Sequence, residues 1–191
     1  DHEWQDPGTG TIFPGADDNA SGTAVTMEMA RAVALGIVEP RRTVVFAAWN
    51  AEESGVFGSC AYAGSPAFPL EGAVAMLNLD AVGAGGPGLL LPGGGSPQNV
   101  ELYGLVRAVF LASGLDGSVG PSPSTDASDH ACFEEAGVPS LMVTASGVHP
   151  TAHTSADTFD AVVPQTVEFA ARVMWGTIEA LATCTEDVYV E

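Results

Sequence analysis

The sequence predicts an α/β fold in which helices cover both faces of a largely parallel sheet. Apolar, β-branched runs typical of strands alternate along the chain with segments of helical spacing. The chain has 191 residues, of which 46% are hydrophobic, so it can bury a core as a single domain spanning residues 1–191. Acidic residues directly follow two of the predicted strands, where open α/β sheets bind ligands.

The first elements are a loop and a helix. Residues 3–16 are rich in Gly, Pro and Thr without any period, which predicts a loop. After Asp17 and Asp18, the Ala-, Val- and Met-rich residues 23–35 predict a mostly buried helix, capped by Asn19 or Ser21.

Two predicted strands end in carboxylates. Residues 43–49 form an apolar run typical of a buried strand, and Glu52 and Glu53 follow it. Residues 73–79 predict a second strand that leads directly to Asp80. Adjacent glutamates repel each other unless a proton or a cation lies between them, and a metal ion supplies that cation.

The remaining residues continue the alternation. The final helix begins at Pro164, with one apolar stripe and a Glu168–Arg172 pair on the opposite face. Before it, we expect a short helix at 56–63, strands at 89–91, near 118 and at 139–144, helices at 100–112 and 129–136, and a loop at 145–161.

Composition excludes some functions and leaves others open. The formal net charge is −19, with five Arg and no Lys, so nucleic acid is excluded as a partner because phosphate binding needs clustered cations. No apolar run is long enough to span a bilayer. Cys60, Cys132 and Cys184 share no metal-ligand spacing, and a disulfide between two of them leaves one over.

Four loops carry candidate metal ligands, and none of these is a cysteine. Converging Asp, Glu and His side chains are typical of catalytic zinc sites. The candidates are Asp17 with Asp18, Glu52 with Glu53, Asp80, and His153.

Five sequence blocks resemble the successive motifs of the co-catalytic zinc aminopeptidase family, which includes bacterial leucyl-type aminopeptidases and glutamate carboxypeptidase relatives. The resemblance implies a three-layer αβα fold with a mostly parallel, mixed central sheet, as in the phosphorylase/hydrolase-like zinc peptidases. The blocks are GADDNASGTA (15–24), NAEESGVFGS (50–59), LNLD (77–80), SDHACFEEAGVPSLMVT (128–144) and HTSADTFD (153–160).

The resemblance also implies roles for individual residues. Asp18 resembles the aspartate that bridges two zinc ions, and Glu53 and His153 resemble the other ligands of one of them. Asp80 resembles a ligand of the second ion, and Glu52 resembles the general base. The implied reaction is hydrolysis of the N-terminal peptide bond of peptides by a water activated between two zinc ions.

The sequence departs from the family pattern in two places. The family's H-x-D motif would place its ligand His two residues before Asp1, which would then orient that imidazole. If His2 were the ligand instead, an Asp should stand where Trp4 does. We therefore expect an N-terminally incomplete chain that lacks the first strands. Some members carry a Tyr oxyanion donor where Ala152 stands.

His149 and His130 are the candidates for the missing oxyanion donor, although a structural role is the simpler interpretation of each.

Alternative functions remain open. Glutaminyl cyclases resemble this family but bind one zinc, some receptors keep the fold without metals, and carboxypeptidases need a cation for the substrate carboxylate. All five arginines lie on predicted helices or flank strands, so no such cation is evident and an aminopeptidase is preferred. We expect a secreted protein, extracellular or periplasmic, that acts on peptides.

Overall fold

A four-stranded mixed sheet lies at the centre of the protein. The computed structural model describes residues 4–123 and 128–184. The strands are β1 (Trp4–Gln5), β2 (Ile12–Phe13), β3 (Met76–Leu79), β4 (Gly88–Pro92), β5 (Ser118–Ser122) and β6 (Ser140–Ala145). The helices are α1 (Ala20–Ala34), α2 (Phe57–Gly64), α3 (Val100–Ser113), α4 (Ala131–Glu135) and α5 (Pro164–Thr183), with a 3₁₀ turn at Phe159–Ala161.

The central sheet has the strand order β3-β6-β4-β5. β3 pairs parallel to β6 and β4 pairs parallel to β5, while β4 and β6 are antiparallel. The mixed sheet and its helices confirm the predicted α/β class and agree with the three-layer αβα fold.

The helices form two groups on this sheet. α1 and α3 both pack on α5, and these three helices also contact strands of the central sheet, whereas α2 packs on α4. The core is mostly aliphatic, and its fully buried members include Leu89 and Leu91 of β4, Leu141 and Val143 of β6, and Met174 of α5. Burying a side chain of this size stabilises the fold by about 1.5–3 kcal/mol.

The predicted strand at residues 43–49 is wrong. These residues form no strand, and no backbone hydrogen bond joins them to any residue in the described ranges. Val45 is 48% exposed, so the run is not buried either. An apolar run becomes a strand only when a neighbouring strand offers its N–H and C=O groups. Here a cavity lies between this segment and β3.

Two smaller predictions are also corrected. The loop predicted at 3–16 contains the short antiparallel pair of β1 and β2, because the Asp6 side chain accepts hydrogen bonds from Gly8 and Thr9 and closes the turn between them. Helix α1 is less buried than predicted: Met27 is 67% exposed, and the buried face consists only of Ser21, Gly22, Val25 and Met29.

A disulfide joins Cys60 of α2 to Cys132 of α4, with 5.1 Å between the two Cα atoms. The bond links the helix that follows the Glu52–Glu53 loop to the helix that follows Asp129 and His130. Within the two described ranges, no helix combines the length and the apolar character needed to cross a membrane.

Candidate metal centre

The loop before α1 places Asp18. Asn19 caps the helix by accepting a hydrogen bond from the Gly22 backbone N–H, and its side-chain amide donates to the carbonyl of Leu79 at 2.7 Å. The cap therefore stabilises the helix N-terminus and also fastens this loop to the end of β3. Gly22 is required at this contact, because a Cβ there would lie 2.2 Å from the Leu79 carbonyl oxygen.

A tight turn places Glu52 and Glu53. The backbone N–H groups of Gly55 and Val56 both donate to the carbonyl of Glu52 at 2.9 Å, and α2 begins two residues after Gly55. Glu52 is half-buried, while Glu53 is exposed. The two neighbouring side chains thus have different surroundings, as expected if one is to hold a metal and the other a proton.

The loop between β6 and α5 brings His153 to the same place. Its Nε2 atom lies 3.0 Å from Oδ2 of Asp18 and 3.4 Å from Oε2 of Glu53. His153 has a positive φ of 57°, a backbone conformation that is uncommon for a residue other than glycine. Such strained residues cluster at functional sites, where surrounding contacts hold them in place.

Asp18, Glu53 and His153 therefore form a group of three potential ligands. One donor atom from each lies within 4.8 Å of the donor atoms of the other two. It is the one such group of three or more that the described part of the chain contains. The sequence prediction that these three residues converge agrees with this geometry.

Asp80 lies beside this group, but its donor atoms are not among the three. It follows β3 and is 8% exposed, and its Oδ2 accepts a hydrogen bond from the Ser128 hydroxyl at 2.5 Å. Asn78 in turn donates to the Ser128 hydroxyl oxygen at 2.6 Å. Burial raises the pKa of Asp80, with a smaller contribution from the Asp18 carboxylate.

The pKa of the Glu52 carboxyl is strongly raised. Its pKa rises from 4.5 to about 7, first because burial disfavours the ionised form and then because other carboxylates surround it, beginning with Asp80 and Glu53. Burial likewise raises the pKa of Asp18 and of Asp129. These clustered carboxylates therefore favour binding of a cation or a proton at the site.

A cavity of about 730 Å³ opens beside these acids. Asp18, Glu52, Asp80 and Asp129 line it, and it extends between residues 43–49 and β3. Sequence reasoning missed Asp129, which is 7% exposed, because a buried aspartate in a helical turn has an ordinary structural interpretation. It also gave no role to Asp157, although the HTSADTFD block contains it. Asp1 and its predicted orienting role lie outside the described residues.

Comparison with known proteins agrees with the motifs. The profile of Peptidase family M28 matches residues 1–178. The chain belongs to this family. It is 31% identical over 182 residues to Aminopeptidase NAALADL1 of Mus musculus, covering 78% of this chain and 24% of the relative. It is 29% identical over 130 residues to Leupeptin-inactivating enzyme 1 of Streptomyces exfoliatus, covering 68% of this chain and 28% of the relative.

Solved structures share the fold. An aminopeptidase from Aneurinibacillus sp. strain AM-1 superposes with a TM-score of 0.79 at 27% identity, covering 93% of the M28 chain described here and 42% of the other chain. The glutaminyl cyclase of Bacteroides thetaiotaomicron has a TM-score of 0.71 at 20% identity, covering 91% of this chain and 66% of that one, which shows a common fold alone. The chain thus spans less than half of the Aneurinibacillus enzyme and about a quarter of the two curated relatives above.

Proposed function

We propose that this M28 protein is a zinc-dependent aminopeptidase that hydrolyses the N-terminal peptide bond of peptides. The observation that carries the proposal is the group formed by Asp18, Glu53 and His153, with the half-buried carboxyl of Glu52 next to it. Three protein ligands with one open position, beside a group able to take a proton, is the usual arrangement of a hydrolytic zinc site.

The donor spacing fits a single zinc ion. Ligand atoms at about 2.0–2.1 Å from a tetrahedral zinc lie roughly 3.3 Å from one another. The His153 nitrogen lies 3.0 Å and 3.4 Å from the carboxylate oxygens of Asp18 and Glu53. Two carboxylates with one imidazole also suit zinc chemically. When bound, zinc would polarise the scissile carbonyl and lower the pKa of a bound water.

A second zinc ion is part of the proposal. Asp18 and Asp80 are the residues that would hold it, together with an imidazole from outside the residues that the structure describes. The support is the position of Asp80, which is buried at the end of β3 and close enough to Asp18 for the Asp18 carboxylate to raise the pKa of Asp80. Metal binding would relieve this repulsion, since a cation favours the ionised form of both carboxylates.

Glu52 is assigned as the general base. A carboxylate that ligates no metal can accept a proton from the attacking water and then pass it to the departing amine. Its pKa of about 7 in the metal-free protein is close to that expected of a group that both takes and releases a proton near neutral pH.

An acid-rich site favours a substrate with a free N-terminal ammonium. A carboxypeptidase would need a cation for the substrate carboxylate, yet three of the five arginines already have partners. Arg31 pairs with Glu28, Arg172 pairs with Glu168, and the Nε–H of Arg42 donates to a backbone carbonyl. These contacts support the aminopeptidase assignment over the carboxypeptidase one.

The proposal includes secretion, to an extracellular or periplasmic location. Its support is the disulfide between Cys60 and Cys132, because disulfides form and persist in oxidising compartments.

The reaction is tested with three substrates and a zinc determination. The zinc-loaded protein should release the first residue of a free aminoacyl p-nitroanilide and leave its N-acetylated counterpart intact. Cleavage of a C-terminal residue from an N-blocked peptide would instead make it a carboxypeptidase. Cyclisation of a Gln-initiated peptide without hydrolysis, at one zinc per chain, would make it a glutaminyl cyclase. Binding of two zinc ions without turnover of any of the three would contradict the enzymatic proposal.

A further inference from the structure

Asp157 fastens the loop that carries His153 to the loop that carries Asp18. The backbone N–H groups of Asp17 and Asp18 donate to its two carboxylate oxygens at 3.1 Å and 3.0 Å, and the N–H of Ala16 donates to its backbone carbonyl at 3.1 Å. Asp157 is 1% exposed, so these bonds are shielded from water. Three consecutive residues of one ligand loop are thereby held by a residue four positions after His153.

A second contact between the same two loops involves His149, four positions before His153. Its Nε2 atom lies 3.2 Å from Oδ2 of Asp17 and 3.8 Å from Oδ1 of Asp157. The side chain of Asp17 is fully buried, and its Oδ1 accepts a hydrogen bond from the Gly83 backbone N–H at 2.6 Å. His149 is itself mostly buried, with 17% of its side chain exposed.

The charges explain why an imidazole belongs at this position. Two buried carboxylates lie close together, and a buried charge without a partner is costly. Asp157 is balanced by two backbone N–H donors and Oδ1 of Asp17 by one, which leaves Oδ2 of Asp17 facing His149. Neither this oxygen nor Nε2 of His149 makes a hydrogen bond to another described residue, so the 3.2 Å between them is an electrostatic contact in which an N–H at Nε2 would offset the carboxylate charge.

We infer that His149 is a positioning residue for the metal centre. Together with Asp157 it fixes the position of the two ligand loops relative to each other. The carboxylate of Asp18 and the imidazole of His153 are therefore close enough to bind one metal ion before that ion arrives. The inference rests on the proposed zinc site and adds to it a residue that touches neither metal nor substrate. Groups that orient metal ligands in this way typically contribute about 10- to 100-fold to metal affinity.

The test compares two amides that differ in reach. The side-chain nitrogen of Gln can occupy the place of Nε2, whereas that of Asn ends one methylene short of it. His149→Asn should weaken zinc binding by about 10- to 100-fold, while His149→Gln should keep most of the affinity that His149→Asn loses. Val148→Ala is the matched control, since Val148 is 83% exposed and should change zinc affinity by no more than about 2-fold.

Zinc affinity is measured by competition with a chromogenic chelator, and unfolding of the zinc-free proteins is followed in parallel. A purely structural histidine would lower the stability of His149→Asn and leave its zinc affinity unchanged, which overturns the inference. Equal losses of affinity in the Asn and Gln variants would overturn it too, because reach to Asp17 would then be irrelevant.

Asp17→Asn gives a second route should His149→Asn not fold. The amide has the same shape and keeps the oxygen that accepts from Gly83, but it removes the charge that His149 faces. Zinc affinity should fall by about 10- to 100-fold, and an unchanged affinity overturns the inference. If the unsubstituted chain binds no zinc, the proposed function fails, and the role of His149 fails with it. If it binds zinc and the variants bind equally well, only the role of His149 fails.

Discussion

Replacing Glu52 with Gln should stabilise the zinc-free protein, and the gain should depend on pH. The pKa of this carboxyl rises from 4.5 to about 7 on folding, because the group is half-buried among other carboxylates. Below pH 4.5 the group is protonated in both the folded and the unfolded chain, so it costs nothing. Above that value the unfolded chain loses the proton first, and folding stability falls until the pH passes about 7.

The size of the effect follows from the shift. A rise in the pKa from 4.5 to about 7 corresponds to at most about 3.4 kcal/mol, at 1.36 kcal/mol per pKa unit. Because Glu52 is only half-buried, solvent screening reduces this to roughly 1–2 kcal/mol. Glu52→Gln should therefore unfold at a temperature about 3–6 °C higher than the unsubstituted chain at pH 8, and at nearly the same temperature at pH 4.

The assay is thermal unfolding of both proteins in a chelating buffer between pH 4 and pH 8. Glu39→Gln is the control, because Glu39 is exposed and a surface substitution should change stability by less than about 0.5 kcal/mol at any pH. A gain for Glu52→Gln that is the same at every pH, or that is absent at pH 8, would refute the account of this site as a crowded, partly buried carboxylate cluster.

Three further predictions concern the reaction, the disulfide and packing beside the site. In the zinc-loaded protein, Glu52→Gln should keep its zinc and lose at least ~10²-fold in kcat on an aminoacyl p-nitroanilide; zinc lost in step with activity would make Glu52 a ligand. Reducing the Cys60–Cys132 bond, which closes a loop with a sequence separation of 72, should lower the free energy of unfolding in urea by about 4 kcal/mol, and an unchanged midpoint would contradict this. Gly83→Ala should lower the free energy of unfolding by about 1–3 kcal/mol, because the added Cβ would lie 2.7 Å from a carboxylate oxygen of Asp17. Gly86→Ala is the control and should be neutral in the same urea titration, because nothing lies within 4 Å of its added Cβ. Equal effects of the two substitutions would refute the packing argument.

The parts of the fold that the sequence predicted well are those governed by local signals. The last helix begins at Pro164, as its fixed φ and missing N–H favour at that position, and α1 is capped by Asn19, one of the two residues expected. The alternation of strands and helices likewise gave the α/β class. In each case the residues that determine the structure are close neighbours in the chain.

The failures concern pairing, which the sequence does not encode locally. Residues 43–49 have the composition of a buried strand, but a strand also needs a partner edge, and none of the described segments pairs with them. The sequence does not determine the disulfide for the same reason, because which cysteines meet depends on how α2 packs on α4.

The site shows the same division. The convergence of Asp18, Glu53 and His153 could be predicted from motifs, since each lies in a distinctive block. The contacts that His149 and Asp157 make could not. His149 contacts Asp17, 132 residues earlier in the chain, and Asp157 accepts hydrogen bonds from residues at least 139 positions earlier. Only the folded structure brings these partners together.

The central claim is that Asp18, Glu53 and His153 hold a zinc ion, and anomalous X-ray scattering tests it most directly. Crystals of the zinc-loaded chain should give an anomalous peak at the zinc absorption edge within about 2.0–2.2 Å of one donor atom from each of the three residues. The peak should disappear from this position in His153→Ala crystals that are loaded in the same way. An anomalous peak beside other residues would contradict the account. So would the absence of a peak from crystals of a protein that is saturated with zinc in solution.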